Sequence, residues 1–430
     1  MNFGRTARGL ATLYGTTFLL SSGYAMTLPA LTVMPDEFGI TVGVTAQVVT
    51  AYATGRLVGT PPGGILVDMF GARIVLYFGP TLIGLSALSV VLSPSFLGII
   101  VALFFAGIGD SMWHIGREIA GVDLVRADQR GRLLSGFMGA NSIGMALGAA
   151  VGGFITDEFG FRSVYGVYAS MAVVVFVLGL ATPVLKVSPE SQPRLGRASL
   201  PSVAVIARDI LRMPVRIYAW SINYVPQLVR EIEPRFRATY RVLVFATTSM
   251  MFYRMVLQSM LPLYGAYRGL SATEVGGLFL IQGLVVFPII IPAGFVLDKL
   301  GRKWATVPTT GLPAVSFILF PFVDSFWQMA VLMVLLGAAN GLSLGSLAVS
   351  TYDILPTSSR GRLQAVRRTV AEVGGIAGPI VGGLIANAFN PGISFLASAP
   401  LLVVAMLLLA FVAKETLVKP PKPVAAGPPS

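Results

Sequence analysis

Five side chains that can carry charge, move protons or present an aromatic face crowd one short stretch: Asp110, Trp113, His114, Arg117 and Glu118. At about 100° per residue they fall within roughly 140° on a helical wheel, so a helix through them shows them on one face. Asp110 and Glu118 are the groups able to carry a proton. Arg117 is the nearby cation that returns a carboxylate to its charged form. Loading a proton weakens such a pair, and a bound solute can compete for the same groups. His114 is the only histidine and lies one turn from Asp110; it either titrates near neutral pH or serves as a satisfied hydrogen-bonding group. The whole stripe also suits a static ion-pair network that only positions helices. With no cysteine in the chain there is no disulfide or thiolate ligand, and no metal set can be assembled around His114 by spacing. No nucleophile with its base is visible, so enzyme activity is not expected.

The elements that must hold this stripe are membrane spans. Hydrophobic residues make up 55% of the 430 residues and charged ones 12%, and runs such as 82–103 and 401–411 carry no charge. A soluble domain has no interior large enough for that surface, so the bilayer is the solvent. At about 20 residues per span there is room for about twelve helices. They are expected near 9–32, 42–64, 74–94, 97–123, 134–156, 163–185, 241–264, 273–297, 303–323, 327–350, 368–389 and 393–413. A transmembrane barrel would read as short alternating segments, and these runs are continuous. The first run follows Arg5 and Arg8 but is too long for a signal-peptide core, so it counts as span 1.

Of the 31 Lys and Arg, Arg162 and Arg268 fall on one side and Arg56, Arg117 and Arg254 within spans, while all the others lie on the side of the N-terminus. The positive-inside rule therefore puts both termini in the cytoplasm of a multi-pass protein of the cell (inner) membrane. Topology accounts for the net charge of +12, and no nucleic-acid partner is expected. Residues 1–185 form a first six-helix bundle and 241–413 a second. Between them, 186–240 is broken by prolines and mixes Arg208, Arg212 and Arg216 with Ile206, Leu211 and Trp220. That pattern suits basic amphipathic helices on the inner leaflet, or a simple tether. The Pro- and Ala-rich tail, 414–430, is expected to be disordered.

Sliding the chain against itself until Gly64 falls on Gly294 also superposes Asp68 on Asp298 and Gly71 on Gly301. The same offset pairs Gly107 with Gly337, Asp123 with Asp353, and Arg130-Gly131-Arg132 with Arg360-Gly361-Arg362. It also carries Gly144, Gly148, Gly152 and Gly153 onto Gly374, Gly378, Gly382 and Gly383. Chance supplies about one Gly–Gly coincidence over such a length, so the halves are related. Six spans separate them, an even number, which makes the repeat parallel about an axis along the membrane normal.

The loop after span 2 contains Gly64, Asp68, Gly71 and Arg73, and the loop after span 8 contains Gly294, Asp298, Gly301, Arg302 and Lys303. Both resemble the loop signature called motif A of the major facilitator superfamily. The first copy departs from it at Met69 and Ala72, where basic residues are common. The resemblance extends over nearly the whole chain, because span count, central linker and repeat direction agree. It implies an all-α fold of twelve spans in two six-helix bundles that rock about a central path. It also implies that Asp68 latches the outward-open state by contacting the start of span 11. The glycines of spans 5 and 11 are similar to the family's motif C, which is associated with antiporters when in span 5. Here Ala149 stands where that motif has proline, and the proline, Pro379, lies in the span 11 copy; plain helix packing suits these glycines equally well.

Spans 1, 4, 7 and 10 line the cavity in that family, so the resemblance favours Arg254, Gln258 and Asn340 as further solute contacts. Asn340 also occupies the repeat position of Asp110. Arg56 and Glu372 lie on rim spans and are expected to form a gating pair. The expected function is secondary active transport, with proton-coupled export of an amphipathic organic solute or drug leading. Uptake or facilitated movement of an organic anion held by Arg117 and Arg254 is the rival, with lysolipid transport and a non-transporting membrane sensor behind it. The expected partners are a small-molecule or lipid-like substrate and membrane lipids, the chain acting as a monomer without cofactor and drawing on a proton gradient.

Overall fold

A computed structural model describes residues 3–126, 129–181, 225–343, 346–356 and 358–416, and among them every regular element is helical. Nine helices there are long and apolar enough to cross a membrane: Ala72–Leu92, Phe96–Leu124, Leu133–Phe159, Phe161–Leu180, Ala272–Ile289, Arg302–Phe322, Phe326–Ile354, Arg360–Ala388 and Pro391–Val412. They fall at spans 3 to 6 and 8 to 12. Phe3–Met26, Val42–Phe70 and Arg237–Tyr267 are also long helices, at spans 1, 2 and 7, but are less apolar. Packing explains the difference. Span 7, for example, buries residues from Thr239 to Gly265 among its neighbours, and a helix sheltered from lipid can keep serine, threonine and arginine.

Helix ends follow local chemistry. Thr41 caps span 2 by accepting from the Val44 amide at 3.4 Å, and Ser271 caps span 8 by accepting from the Glu274 amide at 3.2 Å. These two caps are repeat mates. Gly71 and Gly301, mates as well, break the chain after spans 2 and 8 at φ of 81° and 129°, where a side chain is poorly tolerated. The observed ends differ from the expected ones in several places. Span 1 stops at Met26 and is followed by a 3-10 turn, Pro29–Thr32, and a short helix, Met34–Phe38. Span 2 runs on through Pro61 and Pro62 to Phe70, span 7 begins at Arg237 rather than 241, and span 11 begins at Arg360 rather than 368. Apolar counting fixes such ends only loosely, because it follows composition and not the turns and caps that stop a helix. Residues 182–224 and 417–430 lie outside the described residues, and with them most of the expected linker helices and the tail.

The repeat is visible in atomic contacts. Gly144 and Gly148 of span 5 lie against the backbone at Phe18 and Ser22 of span 1, and Gly374 and Gly378 of span 11 lie against the backbone at Thr248 and Phe252 of span 7. Both partners of each contact are displaced from their mates by the offset that carries Gly64 onto Gly294. Between the halves, span 5 meets span 8, where Gly276 faces Ala149, and span 11 meets span 2, where Gly383 faces Gly43. Large apolar side chains such as Leu92, Leu97, Trp327 and Phe411 point outward, as lipid-facing residues should.

Candidate functional site

Span 4 is clamped by two neighbours through glycines. Gly107 lies against the backbone of Tyr52 and Arg56 on span 2, and a Cβ at Gly109 would stand 2.7 Å from the Gly79 carbonyl of span 3. This close approach carries Asp110 inside, to 6% exposure. Its carboxylate meets Arg56 Nε at 3.2 Å and His114 Nδ1 at 3.3 Å. The same imidazole nitrogen is 2.9 Å from the Asp110 carbonyl oxygen, and the Tyr52 side chain lies alongside the carboxylate. An uncompensated charge at such depth costs at least about 2.5 kcal/mol on insertion scales, so the contact with Arg56 offsets part of the cost of placing Asp110 there.

The charged stripe therefore divides in two. Arg56, Asp110 and His114 form one unit. One helical turn on, Arg117 is 5% exposed and its guanidinium lies 5.0 Å from the Trp113 ring centre and 4.6 Å from that of Phe137. It donates to Thr17 Oγ1 at 3.3 Å and lies 3.9 Å from the Glu118 carboxylate. Trp113 is 1% exposed and belongs to the packing of the first half. Glu118 is the open member of the stripe, with its side chain 40% exposed. Spacing along span 4 favours Arg117 as the cation beside Asp110, but the carboxylate's cation is Arg56. That residue was expected to gate with Glu372, which lies within electrostatic reach of it across the halves. The reason is geometric: Arg56 arrives on a neighbouring helix at the height of Asp110, whereas Arg117 is two turns further along its own helix.

In the second half Arg254 donates through Nε and Nη2 to Asn340 Oδ1 at 3.2 and 3.0 Å, and through Nη2 to Ser343 Oγ at 2.8 Å. Tyr253 donates to the same Asn340 oxygen at 3.1 Å. Asn340 thus takes the place of Asp110 without its charge, and Arg254 makes no ion pair among the described residues. One turn along, Gln258 accepts from the Tyr24 hydroxyl of span 1 at 3.0 Å, and Tyr24 stacks on Tyr52 with ring centres 4.3 Å apart. Tyr24 and Tyr52, absent from the sequence-based set, join the two units across the midline. Tyr24 had one usable signal, being the repeat mate of Arg254. Arg368 of span 11 was also missed and lies within electrostatic reach of Arg117. A groove of about 540 Å³ between spans 3 and 4, lined by Leu82, Leu85, Leu97 and Val101, lies on the outward face away from these groups.

The described contacts around the two loop signatures differ. Around the second, Glu415 accepts from the Arg302 and Lys303 amides at 2.8 and 3.2 Å. Arg302 pairs with Asp353 at 3.0 Å, and Lys303 donates to the Ala410 carbonyl at 2.9 Å. The side chain of Asp298 lies outside the described residues. Around the first, Arg73 donates to the Tyr77 hydroxyl at 2.6 Å, Gly64 faces open space, and Asp68 has no partner among the described residues.

The chain matches the sequence model of the Major Facilitator Superfamily over residues 13–229 and 243–430. It is 23% identical over 424 residues to Multidrug resistance protein MdtG of Escherichia fergusonii, with 91% of each chain covered. The protein of the same name from Citrobacter koseri is 22% identical over 415 residues, with 89% of each covered. Among solved structures, a POT family transporter in complex with a thioalcohol-conjugated peptide superposes with TM-score 0.75 at 15% identity, covering 94% of this chain and 95% of that one. A D-xylose-proton symporter superposes with TM-score 0.71 at 17% identity, covering 95% and 98%. At these identities the structural likenesses establish the fold.

Proposed function

The chain belongs to the major facilitator superfamily, a multi-pass membrane transporter and not an enzyme, and from that premise we propose that it exports amphipathic organic solutes in exchange for protons. The observation that carries the coupling is the Arg56–Asp110–His114 unit, a buried carboxylate held between a half-buried guanidinium and a half-buried imidazole inside the membrane. A proton on Asp110 discharges its pair with Arg56, which frees the guanidinium and loosens span 4 from span 2. Loss of the proton restores the pair. A solute that competes for Arg56 or for the Tyr24–Tyr52 face is then bound in one protonation state and released in the other. Relatives named as multidrug resistance proteins support export and a broad solute class. The excess of basic residues on one side supports cytoplasmic termini in an inner membrane, and the chain is read as working as a monomer.

Proteoliposomes provide the test. Efflux of a fluorescent amphipathic dye should accelerate when a pH gradient is imposed, and Asp110→Asn should remove that acceleration while leaving the protein folded. Efflux that ignores both the gradient and the substitution would sink the proposal. A second reading, transport of an organic anion, is favoured by one observation, the Arg254 guanidinium held by neutral acceptors among the described residues. In that case Arg254→Gln weakens solute binding without changing the response to the gradient. Arg117, buried between aromatic rings, is not part of that reading.

A further inference from the structure

At the end of the molecule away from the linker, the halves are tied by two side chains in the same place in the repeat. Asp157, finishing span 5, accepts from the Ala272 amide at 3.1 Å and the Thr273 amide at 2.8 Å, the first two of span 8. Asn387, its repeat mate at the end of span 11, accepts from the Gly43 amide of span 2 at 2.7 Å. The caps that spans 2 and 8 carry themselves, Thr41 and Ser271, reach only the Val44 and Glu274 amides. The donors ahead of those amides stay unsatisfied unless an acceptor comes from elsewhere, and here it comes from the other half. Gly153 against Ala272 and Gly383 against Gly43 bring the backbones close enough for these bonds, since an added Cβ at either glycine would strike the facing chain.

We propose that Asp157 and Asn387 are positioning residues of the transport cycle, the two clasps that hold this end closed, and that Asp157 makes the closure respond to protons in the medium it faces. The two clasps are alike in geometry and different in chemistry. An ionised carboxylate gives charge-assisted bonds to two amides and interacts favourably with the positive end of span 8. Adding a proton removes the charge and one acceptor. The carboxamide of Asn387 does neither at any ordinary pH, so it supplies a clasp of constant strength.

Asp157 is exposed, so protons reach it without entering the central path. The groups facing it are the Ala272 and Thr273 amides and the Ser271 and Thr273 hydroxyls. Other charges at this end are engaged elsewhere or face solvent. Glu274 accepts from the Ser271 amide at 2.9 Å, Arg162 donates to the Val91 and Ser93 carbonyls, Arg268 pairs with Asp324, and Asp36, Glu37 and Glu158 are exposed. Acid on this side therefore weakens the closed state and opens the path toward the proton-rich medium. This site is separate from Asp110 and requires no particular solute.

The chain has no cysteine, so spin labels can be placed on it without removing any native cysteine. Leu97→Cys and Trp327→Cys put one label on each half, at positions 72% and 76% exposed at this end. Their separation is measured by pulsed electron resonance on the full chain in lipid nanodiscs at about pH 7 and about pH 4, which bracket carboxylate titration. Acid should raise the long-distance population in the labelled chain. Asp157→Asn, which copies its repeat mate, should keep the closed population and lose the response to acid. Asp157→Ala should raise the open-to-closed ratio roughly 2- to 30-fold at the higher pH, the range for losing a helix cap. Asn387→Asp should enlarge the acid response. An Asp157→Asn protein that responds to acid as the parent does, or an Asp157→Ala protein with the parent's distance distribution, overturns the proposal. A response abolished by Asp110→Asn and retained in Asp157→Asn would overturn it too, assigning the response to the centre of the membrane instead.

Discussion

Arg56 and Asp110 form a charge pair across spans 2 and 4, with His114 at the same carboxylate. Removing one partner leaves the other charge unpaired; because the Arg56 side chain is 32% exposed while Asp110 is buried, the loss is smaller than the roughly 3–5 kcal/mol of a fully buried pair. Arg56→Ala should therefore lower thermal stability in detergent more than the double substitution Arg56→Gln with Asp110→Asn, which removes both charges and keeps similar volume. Equal losses would mean that the pair at 3.2 Å carries no coupling. Only part of this arrangement was legible beforehand. The stripe on span 4 follows from the period of a single helix, so Asp110, His114 and Glu118 could be grouped from the chain alone. Partner choice could not, because it depends on how high span 2 stands against span 4, and that is set by the contact of Gly107 with the backbone of Tyr52 and Arg56.

Between elements, glycine decides how near two helices come. Gly148 lies against the Ser22 backbone, while Gly139 on the same span has nothing within 4 Å of where a Cβ would be. Gly148→Val should force spans 1 and 5 apart and destabilise by about 1–3 kcal/mol or more, as overpacking does. Gly139→Ala should be neutral, or stabilising by up to about 1 kcal/mol, because alanine is the better helix former. Thermal unfolding of the two variants side by side checks the contrast, and similar losses in both would show that the glycines matter for something other than close approach. The four-residue spacing announced a packing face, but not which helix would occupy it. Spans apolar on most sides carry little phase information, so the pairing of span 5 with spans 1 and 8 emerged only from the assembled bundle.

For the molecule as a whole, the described contacts of the two loop signatures differ while the far end is closed. The clasps at Asp157 and Asn387 close one end. At the linker end the second signature is fastened by Glu415, while Asp68 of the first has no partner among the described residues. An Asp68 that latches the outward-open state, as the family resemblance implies, would be expected to stand free while the far end is closed. Glu415→Ala should cost about 0.5–2 kcal/mol, the range for losing a cap, and Asp68→Ala should change stability little in this state. Hydrogen exchange at the start of span 9 would separate the two variants; faster exchange there after Asp68→Ala would contradict the asymmetry.

The chain alone was enough to establish the solvent, the helical class, the related halves and their parallel direction. These follow from composition and from the fixed offset that carries Gly64 onto Gly294 and Gly148 onto Gly378, properties that do not depend on which helix touches which. It also singled out the loops and the intramembrane charges, since few chemical groups are tolerated at that depth without a role. The folded bundle set the pairings. It gave Asp110 to Arg56, turned Trp113 and Arg117 into the packing of the first half, left Arg254 with neutral partners, and placed Asp157 on the amides of span 8. Each of these needs two helices at a particular height and rotation. That relation is fixed by close contacts distributed over the whole bundle, and no single segment encodes it.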